Sequence, residues 1–253
     1  MSRLRTLLIL FLCALLPLTA MSGCGRTAIG EAPTIALMPL DSRPCNTQYP
    51  ALLAEAATAT IALPPDDVLD EFLTPADTDA LWTWLEEQAE TADHLVIFTN
   101  SLFCGSLIAS RSRGAYDNIQ EDLQRLQDLL TSFKAREDAA SVTVVQVLPR
   151  LSPNQFDSAL YPYYDALTAY GQAWDQADEA GGSAPASAEI PADILQDYQN
   201  LHKESAQLAQ SLDSLAADGL IDQLLISQDD GTEHSPANIT FRSLAEHSEN
   251  TQL

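Results

Sequence analysis

Paired aspartates, isolated arginines and short amides beside them are the residues of this sequence best able to do chemistry together. Asp229 and Asp230 stand side by side in Gln228-Asp229-Asp230-Gly231. Adjacent carboxylates do not both ionise freely, so one proton is held more tightly, which suits general acid/base work. Asp41, Arg43 and Asn46 share the stretch Asp41-Ser42-Arg43-Pro44-Cys45-Asn46, Asn100 precedes Ser101, and Arg111 and Arg150 close two further polar stretches. A guanidinium grips a carboxylate or phosphate with a two-pronged fork, and an Asn amide orients hydroxyls. Asp229 and Asp230 are therefore the candidate catalytic residues. Asp41, Arg43, Asn46, Asn100, Arg111 and Arg150 are the candidate substrate-binding residues. Each pattern also has a plainer reading. Asp-Asp-Gly is a common turn sequence, and Asp41 with Arg43 can be an internal ion pair that shapes its loop.

These candidates occupy equivalent places relative to the elements that must carry them. Apolar runs at 34–40, 58–63, 94–99, 141–148 and 220–227 read as five buried strands. Between them, 51–57, 74–90, 117–136 and 190–218 read as helices; Ile119, Leu123, Leu126, Leu129 and Leu130 show the helical spacing. A last helix is expected at about 239–247. Strand and helix alternate, which implies an α/β fold with a parallel sheet and helices packed on it. Two architectures fit: an open doubly wound sheet, or a β/α barrel that is incomplete at five units. Periodicity does not separate them. In both, ligands bind beyond the carboxyl ends of the strands. The candidates follow strands one, three, four and five. Residues 152–218 read as a helical insertion, with Tyr161, Tyr163, Tyr164 and Tyr170 expected as core more than as a sugar platform. His234 reads as a surface residue.

Composition narrows the function. The chain has 253 residues, with 12 Lys+Arg against 36 Asp+Glu and a formal net charge of −24. Its 46% hydrophobic content is enough for a buried core and excludes a disordered chain. Lys134 and Lys203 are the sole lysines, so a nucleic-acid binder is not expected, since phosphate recognition needs clustered positive charge. The four histidines and four cysteines leave little for a multi-ligand zinc site. P-loop, G-x-G-x-x-G, G-x-S-x-G and H-E-x-x-H patterns are all missing, so no cofactor and no metal is expected.

The beginning of the chain reads as an address. Arg3 and Arg5 precede an apolar run from Leu7 to Leu18, too short to span a membrane comfortably. It ends in Met21-Ser22-Gly23-Cys24, which resembles the cleavage box of bacterial lipoproteins. Residues 1–23 are then a signal peptide, Cys24 the lipidated residue, 24–33 a tether and 34–253 a single α/β domain. The expected location is the extracytoplasmic face of the cell membrane, held by the lipid. That location permits a disulfide between Cys45 and Cys104, each of which follows a predicted strand. No histidine lies close to either cysteine in sequence, which disfavours a thiol nucleophile.

Five stretches carry a resemblance: 38–46 (MPLDSRPCN), 101–111 (SLFCGSLIASR), 148–151 (LPRL), the stretch from Tyr161 to Asp175 with YGQAWD, and 224–231 (LLISQDDG). Together they are similar to the bacterial domain of unknown function 4127 family, over roughly residues 34–242. The family pattern has paired glycines preceded by an acid where Cys104-Gly105 and Asn100-Ser101 stand here. Family members are generally longer, which implies a shortened chain. The Asp-Asp pair is also similar to that of barrel hexosaminidases, in which one carboxylate orients the acetamido group and the other is acid/base. The resulting expectation is an extracytoplasmic hydrolase-like enzyme acting on a glycan or cell-wall sugar. The alternatives are a non-catalytic solute- or polysaccharide-binding lipoprotein and an inactive fragment.

Overall fold

The computed structural model describes residues 32–246 and the backbone of 251–252. The leader, Cys24 and nearly all of the tether lie outside the described residues. In chain order the elements are β1 (Thr34–Met38), α1 (Gln48–Ala56), β2 (Thr60–Ala62), α2 (Thr78–Ala89), β3 (His94–Phe98), α3 (Thr99–Cys104), α4 (Ile119–Lys134), β4 (Ser141–Leu148), α5 (Tyr164–Glu179), α6 (Ala192–Ala217), β5 (Gln223–Gln228), α7 (Pro236–Ala245) and β6 (Thr251–Gln252).

All strands run parallel, in the order β2-β1-β3-β4-β5-β6. β1 therefore lies between β2 and β3, whereas a barrel keeps its strands in chain order. The sheet is the open, doubly wound alternative, and the barrel-like expectation is corrected. In such a sheet the strand order reverses between β1 and β3, and the crevice outside their carboxyl ends is the natural ligand site.

Alternation along the strands sends Ala36, Met38, Leu95, Ile97, Val142, Val144, Leu224 and Ile226 to one face, where they join the main core. α2 brings Leu81, Trp82 and Leu85 onto it, α4 brings Leu126, Leu130 and Phe133, and α6 brings Leu208 and Leu212. Each of these large side chains stabilises the fold by about 2 kcal/mol through burial. Asp77 starts α2 by accepting the Ala80 N–H at 3.0 Å, as an N-cap aspartate should. On the opposite face, Ile35, Leu37, Val96 and Phe98 form with α1 an apolar groove of about 480 Å³.

The insertion has its own small core of Leu160, Leu167, Tyr170, Ile190, Ile194 and Tyr198. α6 thus serves twice. Its first half packs on α5, and its second half is the crossover helix between β4 and β5. Tyr170 is buried, as expected, while Tyr161 remains 60% exposed. No helix among the described residues is long and apolar enough to cross a membrane.

α3 continues directly from β3, and its first residue, Thr99, is helical where the predicted strand at 94–99 would have ended. Its six residues end at Gly105, whose φ of +87° and N–H bond to Ser101 O (2.8 Å) reverse the chain. A side chain there would also meet the backbone of Ala76 at 3.0 Å. Cys104 on α3 and Cys45 after β1 are both free thiols, so the disulfide that the expected location would permit is not formed. Cys104 packs against the main core, and its burial raises the thiol pKa.

Candidate functional site

The carboxyl ends of β1, β3, β4 and β5 collect the charged residues of the rim. Asp41 leaves β1 three residues past its end and is 4% exposed. Arg43 grips it through Nε (2.9 Å to each oxygen) and Nη2 (2.7 Å), and Asn46 Nδ2 donates to it at 2.5 Å. Burial works against the Asp41 charge. The side-chain hydrogen bonds from Arg43 and Asn46 outweigh it and hold the carboxyl below its usual range. The internal ion pair is therefore real, yet the Arg43 side chain stays 58% exposed and free to meet a ligand on its outer side.

Arg111 sits in a 3-10 turn (Ala109–Arg111) that follows α3, and its side chain is 12% exposed. It forms an ion pair with Asp229 from the end of β5. Burial pushes the Arg111 guanidinium down to about 10. The positive charges of Arg150 and Arg43 add to that push, and Asp230 and Asp41 partly offset it. One guanidinium thus feels the sequence candidates from three other strand-end loops.

Asp230 is held in place. Its Oδ2 accepts the Leu151 N–H at 2.6 Å, and its Oδ1 accepts the Thr232 hydroxyl at 2.7 Å. Gln228 Nε2 donates to the Asp230 carbonyl at 2.5 Å. The Leu151 contact joins the loop after β4 to the loop after β5. Asp-Asp-Gly is thus a turn whose two carboxylates have assigned work: Asp229 on Arg111, Asp230 on the β4 loop.

Asn100 does not belong with the ligand groups. It is 2% exposed, and its amide is spent inside the protein. Its Oδ1 accepts the Val147 N–H (2.9 Å), and its Nδ2 donates to the Val147 carbonyl (2.9 Å) and to Ser110 Oγ (3.0 Å). It braces α3 against β4, which corrects its placing among the substrate-binding candidates. His234 lies near the buried Asp175 (3.3 Å) instead of facing solvent alone.

Asp70 was not foreseen. It follows β2 and is 8% exposed, and its Oδ1 accepts the Ser42 N–H at 2.7 Å, next to Asp41. Burial and the nearby Asp41 charge raise its pKa, against the Ser42 hydrogen bond. The rule that strand ends carry the chemistry points to the β2 loop as well. A hollow of about 340 Å³, lined by Ser42, Thr47, Gln48, Leu63, Asp66 and Leu69, opens beside this pair. Among the described residues no group of three or more His, Cys, Asp or Glu is arranged to hold a metal ion.

The open parallel sheet and its strand-order reversal define a doubly wound α/β protein, with a charged rim at the carboxyl ends of its strands. Within that class the chain belongs to the family described as protein of unknown function (DUF4127), whose model matches residues 35–253. No curated protein and no solved structure matches it.

Proposed function

We propose that this protein is a lipid-anchored, extracytoplasmic enzyme of the hydrolase type that acts on a glycan or cell-wall sugar. One observation carries the reading. Arg43, Arg111 and Arg150 meet Asp41, Asp229 and Asp230 within one electrostatic cluster at the carboxyl ends of four parallel strands. Asp229 and Asp230 supply the acid/base and orienting carboxylates, and the arginines with Asn46 bind the substrate. Asp230, fixed by Leu151 and Thr232, suits an orienting role. Asp70, raised by burial and by Asp41, is the rim carboxyl best suited to donate a proton. Asp41, held below its usual range, and Asp70, raised, are neighbouring acids whose environments push their pKa values apart, the usual arrangement for a division of labour.

Turnover of chromogenic amino-sugar glycosides tests this. Asp230→Asn should abolish it, and Asp70→Asn should lower it and remove the alkaline limb of the pH profile, where the proton donor would lose its proton. Undiminished turnover in Asp230→Asn removes the carboxylate mechanism. One observation favours a binding-only lipoprotein instead: both aspartates already have partners, as in a rigid receptor site. Tight, product-free binding of cell-wall fragments that survives loss of both aspartates would select that reading.

A further inference from the structure

This is an acidic molecule, with 36 Asp+Glu against 12 Lys+Arg, so carboxylate partners for arginine are plentiful. Arg43, Arg111, Arg113, Arg125, Arg136 and Arg242 each form an ion pair. Arg150 is the exception: among the described residues no carboxylate pairs with it. Its Nε–H is buried without a partner. The charge it does influence is another arginine, Arg111, which opposes it. Arg111 repeats part of the pattern, since its own Nε–H is buried and unpartnered while its Nη2 meets Asp229. Two half-buried guanidiniums that repel each other, in a protein with a large excess of acid, are costly unless something anionic joins them.

We propose that Arg150 and Arg111 form the seat of a carboxylate carried by the substrate, so that the sugar bound at this rim is an acidic one, such as a uronic acid or a sugar bearing a lactyl ether. The proposal rests on the glycan reading for the sugar and on the unpaired guanidinium for the charge. The charge count selects the carboxylate. Arg43, Arg111 and Arg150 balance Asp41, Asp229 and Asp230, and burial with the Asp41 charge favours the neutral form of Asp70 beside them. A monoanion then adds one negative charge to an already acidic surface, whereas a phosphate dianion adds two. A planar carboxylate also matches the guanidinium fork. Arg43, on the exposed side, can reach the same ligand from β1.

Calorimetry on the full chain tests this, with glucuronate as the probe and glucose and inorganic phosphate as comparisons. Glucuronate should bind, and more weakly at higher salt, while glucose should not. Arg150→Gln, which removes the charge and the guanidinium fork but keeps a polar amide, should weaken glucuronate binding by about tenfold or more. Arg150→Lys should recover it in part, because a lysine keeps the charge without the fork. Thermal melts of each variant separate lost binding from lost folding. The proposal is overturned by no measurable glucuronate binding, by equal binding of glucose, or by a folded Arg150→Gln that binds as the parent does. Tighter binding of phosphate than of glucuronate overturns the carboxylate assignment. Glucuronate binding that depends on Arg150, with no turnover of any glycoside, sinks the hydrolase reading alone. Turnover of neutral glycosides untouched by Arg150→Gln sinks this inference alone.

Discussion

Gly171 in α5 lies against the Tyr198 hydroxyl of α6 with no room for a methyl group between them. That hydroxyl donates to the Leu151 carbonyl at 2.6 Å, and the Leu151 N–H donates to Asp230 at 2.6 Å. A helix–helix contact inside the insertion therefore sets the position of a carboxylate at the end of β5. A Cβ on residue 171 would also come within 2.7 Å of Leu151 Cδ1. Gly171→Ala should destabilise the protein by about 1–3 kcal/mol, the usual range for overpacking a filled core. Tyr198→Phe should cost about 1 kcal/mol by losing the bond to Leu151. Urea midpoints measure both. Parent-like stability in Gly171→Ala would mean that α5 shifts freely and does not position the β4 loop.

Acid sensitivity should trace in part to His202. It is 5% exposed with Nε2 unpartnered, and it packs on Tyr198 with ring centroids 4.7 Å apart. Burial pushes it down to about 4, with the Asp230 charge working the other way. The unfolded chain takes up this proton near the ordinary histidine value of about 6.5. Below that pH the unfolded state binds a proton that the folded state refuses until about 4. The stability from a neutral His202 is thus complete above about 6.5 and is lost as pH falls toward about 4. The loss amounts to about 3 kcal/mol. His202→Gln should flatten the stability–pH slope within that window. An unchanged slope would assign the acid sensitivity to other groups.

Much of this architecture is legible in the residues, and the gaps have physical causes. Val142, Val144, Val145 and Val147 announce β4, whose predicted and observed limits coincide at 141–148. Helices α2 and α4 show themselves through Leu81, Trp82 and Leu85 and through Leu126, Leu129 and Leu130. Strand order is different, because pairing β1 with both β2 and β3 depends on contacts distant in sequence. α3 escaped notice because Thr99-Asn100-Ser101 has no helical spacing and its polar groups are buried by tertiary contacts. For the same reason Asn100 looks like a ligand group in sequence and is a brace in the fold. Asp70 was hidden among Asp66, Asp67 and Glu71, and only its seat beside Ser42 sets it apart.

Asn100 should matter for stability rather than for ligand affinity. Asn100→Ala leaves the Val147 N–H and carbonyl without this partner in a buried setting, at a cost of about 2–4 kcal/mol. Asn100→Asp should cost at least as much, because a carboxylate faces the Val147 carbonyl and has no N–H to give it. Urea denaturation measures the loss. Folded Asn100→Ala should bind glucuronate as the parent does, and a large drop in affinity at parent stability would return Asn100 to the site.

The two thiols should behave differently. Cys45 is exposed, whereas Cys104 packs against the core and its pKa is raised by burial. Of these two, only Cys45 should take a maleimide in native protein, and unfolding should release Cys104. Reducing agent should leave the melting temperature unchanged. Mass spectrometry of labelled peptides decides, and a linked Cys45–Cys104 peptide would contradict the free thiols.

Asp229 should restrain anion binding at the same time as it steadies Arg111. The ion pair occupies one edge of the Arg111 guanidinium that an incoming carboxylate would use. Asp229→Asn removes that competitor and leaves Arg111, on which the Arg150 charge already acts, with one negative neighbour fewer. Burial, Arg150 and Arg43 already hold Arg111 down at about 10. Losing a negative neighbour lowers it further, yet about 10 lies far enough above neutral pH for the guanidinium to stay charged. The variant should therefore bind glucuronate severalfold more tightly, about 1 kcal/mol by the affinity scale, with a steeper salt dependence. It should at the same time lose glycoside turnover if Asp229 takes part in the chemistry. Opposite signs from Arg150→Gln and Asp229→Asn in one titration are hard to produce by general unfolding. Weaker binding in both would instead mean that Asp229 serves to aim Arg111, so that the ion pair is part of the seat and not its rival.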